Sequence, residues 1–166
     1  MELDRRQVIG TGALAVSAVA LLGWNGFAGA AAPNGKFEVE LSDEAWRKRL
    51  SPAAYQVLRH EDTEAPFTSP LLKEHRAGTF TCAGCNLPNF SSKTKFESGT
   101  GWPSFWRPLP NAVASRKDTT LGMTRIEVHC RRCGGHLGHV FNDGPQPTGL
   151  RYCMNGLSLG FTPGKA

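Results

Sequence analysis

Short runs in which apolar and polar residues alternate dominate the chain from Gly78 onward. In the clearest of them, R-I-E-V-H-C (125–130), Ile126 and Val128 alternate with polar neighbours. This period of two is typical of a strand with one buried face. Strand-like composition also occurs in six other stretches, at 79–82, 90–97, 111–117, 136–141, 150–154 and 157–161. Turn-forming residues separate these stretches, so the pattern predicts antiparallel strands joined by short turns.

Two helices are predicted ahead of the strands. Ser42 can cap a helix through D-E-A-W-R-K-R-L (43–50), whose first two acidic residues suit the positive end of a helix. Ser51 and Pro52 then begin a second helix, because proline is tolerated in a first helical turn. The predicted fold class is mainly β: antiparallel sheets packed as a barrel-like, tent-shaped domain with short N-terminal helices.

Composition agrees with a turn-rich β domain. The 166 residues include 19 glycines and 11 prolines, and 40% are hydrophobic, which fits one domain with an apolar core. The net charge is +5, and the basic residues are scattered along the chain. We therefore expect no nucleic-acid partner, because proteins that bind nucleic acid concentrate positive charge on one face.

The N-terminal residues are predicted to be an export signal and not part of the fold. Arg5 and Arg6 precede an apolar, uncharged run, and Ala28-Gly29-Ala30 has the shape of a signal-peptidase site. The paired arginines resemble a twin-arginine signal, so we expect export to a bacterial periplasm, with an uncleaved membrane anchor as the alternative. The apolar run is short for a membrane span, and no stable insertion of the mature domain is expected. The chain is thereby divided into signal, leader and domain at 1–30, 31–36 and 37–166.

Four of the five cysteines form two C-x-x-C pairs, Cys82 with Cys85 and Cys130 with Cys133. Each pair brings two thiolates to one turn, and two such turns complete the tetrahedron of sulfurs that Zn²⁺ prefers. The spacing predicts one structural zinc ion that clamps two distant hairpins of the domain. Cross-paired disulfides are the alternative, because an exported protein meets oxidising conditions. A redox C-x-x-C would need a βαβ setting, which the pattern lacks.

The fifth cysteine, Cys153, stands in G-L-R-Y-C-M-N-G (149–156). Two other stretches are equally distinctive, F-E-S-G-T-G-W-P-S-F (96–105) and C-G-G-H-L-G-H-V-F-N-D-G (133–144). Together with both C-x-x-C pairs they closely resemble the B-type methionine sulfoxide reductases, over roughly residues 37–163. The resemblance implies a thiol-dependent peptide-methionine (R)-S-oxide reductase that repairs oxidised exported proteins.

A nucleophilic role for Cys153 follows from the resemblance and from thiol chemistry. The thiolate is the attacking form, and Arg151 would lie on the same face of a strand, where its charge favours the anion. Attack at the sulfoxide sulfur would leave a sulfenic acid on Cys153 and a repaired methionine. For a single cysteine, a buried small hydrophobe is the alternative.

The resemblance also implies that His136, His139 and Asn155 line the site and protonate or hydrogen-bond the sulfoxide oxygen, which suits histidine chemistry. The two histidines could instead form a metal site with Asp143. On a regular strand, positions 136 and 139 face opposite ways, so that site would need a bulge or turn at Gly138. Asp143 would orient a histidine or the backbone, or belong to a surface turn.

Trp102 is the predicted specificity element, because a methyl group and a partly positive sulfur pack well on an aromatic face. Phe141 would extend this apolar wall. Asp143 is predicted to bind the substrate together with Trp102 and Phe141. The other aromatic residues near these motifs and on the first helix are expected in the core: Trp46, Phe105 and Trp106.

Many members of the family carry a resolving cysteine where this chain has Thr100, and no cysteine remains here for that task. The sulfenic acid on Cys153 would then be reduced directly by an external thiol, from a thioredoxin-like protein or another donor reachable after export. A monomer is expected. Two rival functions stay open: a zinc-stapled binding module without turnover, and a cysteine hydrolase, which would need an oxyanion hole but no thiol reductant.

Overall fold

A computed structural model describes residues 36–165 of the chain. The predicted export signal and nearly all of the predicted leader lie outside the described residues. Within that part, no helix combines the length and the apolar character needed to cross a membrane.

Two short helices come first, α1 at Asp43–Arg49 and α2 at Pro52–His60. Both begin as predicted, because the hydroxyls of Ser42 and Ser51 each accept a hydrogen bond from the backbone N–H three residues further on. Each helix buries one face against the β domain.

Nine strands follow in the described region, and every pairing between them is antiparallel. Their bounds are β1 Gly78–Cys82, β2 Pro88–Ser91, β3 Lys95–Phe96, β4 Ser104–Phe105, β5 Val113–Asp118, β6 Arg125–Cys130, β7 His136–Phe141, β8 Arg151–Met154 and β9 Leu159–Pro163. One sheet has the order β2-β1-β9, and the other has the order β3-β4-β8-β7-β6-β5. The predicted mainly β fold with short leading helices is confirmed.

Two details of the strand prediction differ from the structure. The stretch 90–97 is not one strand, because a 3-10 turn at Ser92–Thr94 separates β2 from β3. The Ser91 hydroxyl begins this turn by accepting a hydrogen bond from the N–H of Lys93, and the break sends β2 and β3 into different sheets. Strand β4 has two residues after Pro103, too few to show a period of two in the sequence.

Aromatic side chains join the two sheets in the core. Phe105 of β4 stacks on Phe90 of β2 with ring centroids 4.4 Å apart, and it meets Phe80 of β1 edge-on at 4.9 Å. Trp46 and Phe105 are buried, as predicted. Trp106 is only half-buried, and Arg107 covers its ring, because it follows the end of β4 at the sheet margin.

A bulge in the pairing of β6 with β7 decides the layout of the larger sheet. The register shifts between Val128 and His129, and Gly138 opposite has φ of 156°, a value that favours glycine. The shift turns His136 and His139 to the same side, with ring centroids 5.3 Å apart. A bulge or turn at Gly138 is the condition predicted from the sequence for the two histidines to face the same way, and this bulge is present.

Candidate active site and metal centre

One face of the larger sheet carries reactive side chains in a row across neighbouring strands. Cys153 of β8 lies opposite His139 of β7 and Ser104 of β4, and His139 lies opposite Glu127 of β6. Residues directly opposite each other on adjacent strands share a face of the sheet. A thiol, an imidazole and a carboxylate therefore stand side by side, although the chain separates them widely.

A pocket of about 130 Å³ opens at the thiol. Its wall is formed by Thr63, Trp102, Arg125, Gly138, His139, Phe141, Cys153 and Asn155. Five of the predicted site residues are thus brought together. The other three, His136, Arg151 and Asp143, are not part of this wall.

The Cys153 thiol is partly buried, and this burial raises its pKa above the ordinary value for cysteine. The Thr100 hydroxyl, 3.8 Å from the sulfur, and the Arg151 guanidinium both act in the opposite direction. Arg151 therefore lowers the pKa of Cys153, as expected, but the effect of burial on that pKa is larger. Burial therefore favours the protonated thiol, and the proton must leave as Cys153 reacts.

Asp143 orients Arg151 and not a histidine. Its two carboxylate oxygens accept hydrogen bonds from Nε and Nη2 of Arg151 at 2.9 and 2.8 Å. This two-point ion pair lowers the pKa of Asp143. The guanidinium also lies over the Phe141 ring, 4.5 Å from its centroid. The turn after β7 returns the chain toward β8, which places Asp143 beside Arg151 and away from the histidines.

His139 is the predicted histidine that reaches the pocket, and Asp118 at the end of β5 holds it. The distance from His139 Nε2 to Asp118 Oδ2 is 2.8 Å. Hydrogen bonds from Thr120, His139 and Arg125 lower the pKa of Asp118. This ionised carboxylate therefore accepts a hydrogen bond from the N–H at Nε2 of His139. Within the part of the chain that the structure describes, Nδ1 of His139 forms no hydrogen bond, so it is the ring nitrogen available for proton exchange. Burial lowers the pKa of His139, and Asp118 partly offsets that effect.

His136 lies behind His139 and is fully buried. Its Nδ1 is 2.8 Å from Oε1 of Glu127, and its Nε2 has no hydrogen-bond partner among the described residues. Burial alone would raise the pKa of Glu127, but His136 and Arg116 together lower it. Glu127 is therefore an ionised group under the site, and His136 supports His139 without facing the pocket.

Glu64, in the loop after α2, fixes two residues of the wall. Its backbone carbonyl accepts a hydrogen bond from Trp102 Nε1 at 2.9 Å, and its backbone N–H donates to Asn155 Oδ1 at 2.9 Å. Its buried carboxylate accepts a hydrogen bond from the N–H of Gly156 at 2.6 Å. Because both side chains are anchored to one residue, the indole and the amide keep a constant relative position.

The four cysteines of the C-x-x-C pairs form a second centre. Cys82 ends β1 and Cys85 lies in the turn that leads to β2, while Cys130 ends β6 and Cys133 lies in the turn that leads to β7. All four sulfurs are within 4.8 Å of one another, with Cys82 to Cys133 at 3.7 Å and Cys85 to Cys130 at 3.5 Å. A tetrahedral site with metal–sulfur bonds of about 2.3 Å has sulfur–sulfur edges of about 3.8 Å.

This arrangement fits a metal ion. The sulfurs are too far apart for a disulfide bond of about 2.05 Å, and each cysteine is free. The metal would join the smaller sheet to the larger one, as the predicted clamp between distant hairpins requires. Among the residues described, the four cysteines are also the one group of possible metal ligands that converges; His136 and His139 instead bond to carboxylates of neighbouring strands.

Residues 50–163 match the model of the SelR domain. The chain belongs to this family. The peptide methionine sulfoxide reductase MsrB of Leptospira interrogans is 55% identical over 126 residues, which cover 75% of this chain and 96% of that protein. MsrB of Agrobacterium fabrum is 52% identical over 127 residues, covering 76% and 94%. MsrB of Leifsonia xyli is 54% identical over 134 residues, covering 80% and 96%. The family predicted from the motifs is confirmed.

In this SelR-domain chain, sequence reasoning missed the residues that support the pocket. Asp118 and Glu127 lie on strands where an outward-facing acid normally indicates a solvated surface, so their position gave no warning of a site. Glu64 has no motif around it, and Arg125 begins a strand pattern that carries no chemistry of its own. The alternation at 125–130 did place Glu127 and His129 on one face, and that pair was the one available signal.

Proposed function

We propose that this chain reduces methionine sulfoxide, and specifically its R epimer. The observation that carries the proposal is the pocket in which Cys153, His139, Asn155 and Trp102 meet within a SelR-domain chain. The relatives described above, which are named peptide methionine sulfoxide reductases, support it further.

The first step transfers oxygen to Cys153. The cysteine sulfur attacks the sulfoxide sulfur and forms a sulfur–sulfur bond. The oxygen then moves to Cys153 as this bond and the sulfur–oxygen bond of the substrate both break. Methionine leaves as a thioether, and Cys153 is left as a sulfenic acid. Two electrons pass from the cysteine to the substrate, and the thiol hydrogen ends on the sulfenic acid. His139 is the group that carries this proton, since Asp118 holds its Nε2 and leaves Nδ1 open.

Selection of one epimer follows from a polar side and an apolar side of the pocket. His139 and Asn155 offer hydrogen bonds to the sulfoxide oxygen, while Trp102 and Phe141 offer aromatic faces to the methyl group. A chiral sulfoxide that must satisfy both sides while aiming its sulfur at Cys153 fits in one configuration. The family resemblance assigns that configuration as R.

The second step requires thiols from outside the chain. The four other cysteines lie in the metal cluster, and Thr100, next to Cys153, has a hydroxyl where a thiol would be needed. An external thiol attacks the sulfenic acid, releases water and forms a mixed disulfide; a second thiol then restores Cys153. A thioredoxin-like protein is the proposed donor.

We also propose that the cysteine cluster holds a structural Zn²⁺ ion. Four buried thiolates leave no open coordination position for a substrate, which is typical of structural zinc. The ion would contribute to folding and would take no part in the reaction at Cys153.

We propose that the chain is exported to a bacterial periplasm through the twin-arginine route. Its support is the order of Arg5-Arg6, the apolar run and the A-x-A site in the N-terminal sequence. This route carries folded proteins, so the metal would be bound before export. The mature enzyme would then act as a monomer on oxidised exported proteins.

A chiral assay tests the reductase. The full chain is incubated with a racemic methionine sulfoxide peptide and dithiothreitol, and the remaining sulfoxide epimers are separated. We expect loss of the R epimer alone, and no loss with Cys153→Ser, whose fold is checked by circular dichroism. Equal survival of both epimers would instead favour a binding module, and acyl hydrolysis without a thiol would favour a cysteine hydrolase.

A further inference from the structure

Three large hydrophobic side chains are exposed among the residues whose exposure the structure describes: Phe67 at 70%, Met123 at 53% and Leu41 at 40%. Isolated exposed apolar residues are common in soluble proteins. Two of these three, however, lie close in the chain to residues of the pocket wall: Phe67 is four positions after Thr63, and Met123 is two positions before Arg125. Leu41 lies ahead of α1.

Phe67 is held outward by the backbone around it. Its φ is 66°, in the left-handed region that is unfavourable for a bulky residue. Its N–H donates a hydrogen bond to the carbonyl of Gly101 at 2.8 Å. A Cβ on Gly101 would lie 3.0 Å from Cδ2 of Phe67, so the ring rests against the residue that precedes Trp102.

The segment that presents Phe67 also builds the pocket. Thr63 is part of the pocket wall, and Glu64 anchors Trp102 and Asn155. Three residues separate Thr63 from Phe67, and Phe67 contacts Gly101, the neighbour of Trp102, so the exposed ring lies next to two parts of the wall. A bulky residue that is both conformationally strained and exposed beside a reactive group is typical of a contact site.

Met123, the second exposed residue, precedes another segment of the wall in the chain. It follows the 3-10 turn Thr120–Gly122, and its N–H bonds to the carbonyl of Thr120 at 3.3 Å. Two residues later, Arg125 enters the pocket wall and is ion-paired with Asp118. The flexible methionine side chain suits contact with varied apolar partners.

We infer that Phe67 and Met123 form an apolar rim that docks the polypeptide on either side of an oxidised methionine. This inference rests on the proposed function and names its substrate class: sulfoxide residues within extended, apolar protein segments. The pocket of about 130 Å³ accepts a side chain, so the peptide backbone and the neighbouring residues must lie outside it, at the rim.

The chemistry of oxidised methionine indicates an apolar segment. Methionine normally packs among apolar residues, and oxidation makes it polar and disrupts that packing. A sulfoxide in a damaged protein is therefore flanked by apolar side chains that have become exposed. Such flanking residues match Phe67 and Met123, whereas a free amino acid has none to offer.

The test compares two substrates with dithiothreitol as the reductant, so that no donor protein is involved. One is N-acetyl-methionine sulfoxide, and the other is a peptide with apolar residues on both sides of a central methionine sulfoxide. For Phe67→Ala in the full chain, we expect KM for the peptide to rise roughly tenfold, and by less for Met123→Ala, because aromatic contacts dominate such interfaces. The constants for the small substrate should not change.

Matched variants complete the test. Phe67→Tyr keeps the ring and should retain the peptide KM, and Leu41→Ala removes an exposed side chain that is not on the rim and should change nothing. An unchanged peptide KM in Phe67→Ala, or an equal loss on both substrates, would overturn the inference. So would a loss seen only when thioredoxin replaces dithiothreitol, which would make the rim a donor contact. If the unaltered chain reduces neither substrate, the proposed function itself has failed.

Discussion

The reactivity of Cys153 depends on opposing influences within a few ångströms of its sulfur. Burial raises the pKa of the thiol, while Thr100 and Arg151 lower it. Arg151 can act because Asp143 holds its guanidinium at two points. The sequence placed Arg151 and Cys153 on one face of a strand, but the burial that dominates the pKa was visible only after the sheets were assembled.

Removal of the Arg151 charge should therefore move the titration of Cys153. We expect Arg151→Gln to raise the pKa of the thiol, because burial is then less opposed. Since the thiolate attacks and its fraction falls as the pKa rises further above the working pH, the rate of sulfenic acid formation at neutral pH should drop. The ultraviolet absorbance of the thiolate against pH and a single-turnover assay measure the two effects.

Lys117→Gln is the control for that experiment. It removes the same charge from an exposed residue of β5, so it should leave the thiolate titration and the rate unchanged. An unmoved titration in Arg151→Gln would show that Arg151 does not act through the charge of the thiol.

At the scale of elements, the bulge in β7 decides which side chains share the site. A regular strand would turn His136 away from His139. With the bulge, Glu127 is hydrogen-bonded to His136 and Asp118 to His139, and the two imidazole rings are in contact. Strand-like composition predicted β7 itself, but not the register shift with β6, because the shift depends on which strand lies alongside.

Gly138 makes this bulge possible, and its substitution is a test at the same scale. A Cβ there would overlap the carbonyl oxygen of Cys153 and lie 2.9 Å from Cα of Met154. Both are backbone atoms, so β8 would have to move. We expect Gly138→Ala to lower the free energy of unfolding by roughly 2–4 kcal/mol and to reduce turnover, as measured by urea denaturation and the chiral assay.

Gly164→Ala provides the matched comparison. Gly164 has nearly the same φ, 155°, but nothing lies within 4 Å of the position of its Cβ. Its substitution should be less destabilising, by the conformational penalty of about 1 kcal/mol alone, and should leave turnover intact. Equal destabilisation of both variants would mean that the close contact of β7 with β8 is unimportant.

At the scale of the whole molecule, the cysteine cluster connects the two sheets. One pair of ligands lies in a hairpin of the smaller sheet and the other in a hairpin of the larger. The core contacts between Phe80, Phe90 and Phe105 join the same sheets. Because Cys153 and His139 lie on the larger sheet and away from the cluster, the metal would stabilise the fold that holds them and would not contact the reacting groups.

Loss of the metal should consequently destabilise the protein. We expect one zinc ion per chain by mass spectrometry, and after chelation a fall in the thermal unfolding temperature of at least ~10 °C. Cys130→Ser should show the same loss of metal and stability. Cys153→Ser should keep both, and a metal lost from that variant would contradict the separation of the two centres.

The sequence by itself determined the features that depend on local chemistry and periodicity. Serine caps set the starts of both helices, strand-like composition marked most strands, and residue spacing marked the cysteine pairs. The motifs around Cys153, Trp102 and His139 identified the family and five residues of the pocket wall. All of these are properties of residues close together in the chain.

The tertiary structure alone decided which groups act on one another. It placed His139 in the pocket and His136 behind it. It paired these histidines with Asp118 and Glu127 respectively, and it anchored Trp102 through a hydrogen bond to Glu64. It also buried the thiol. These relations depend on strand register, on a bulge and on the packing of two sheets, which bring distant residues together and which no local pattern of side chains encodes.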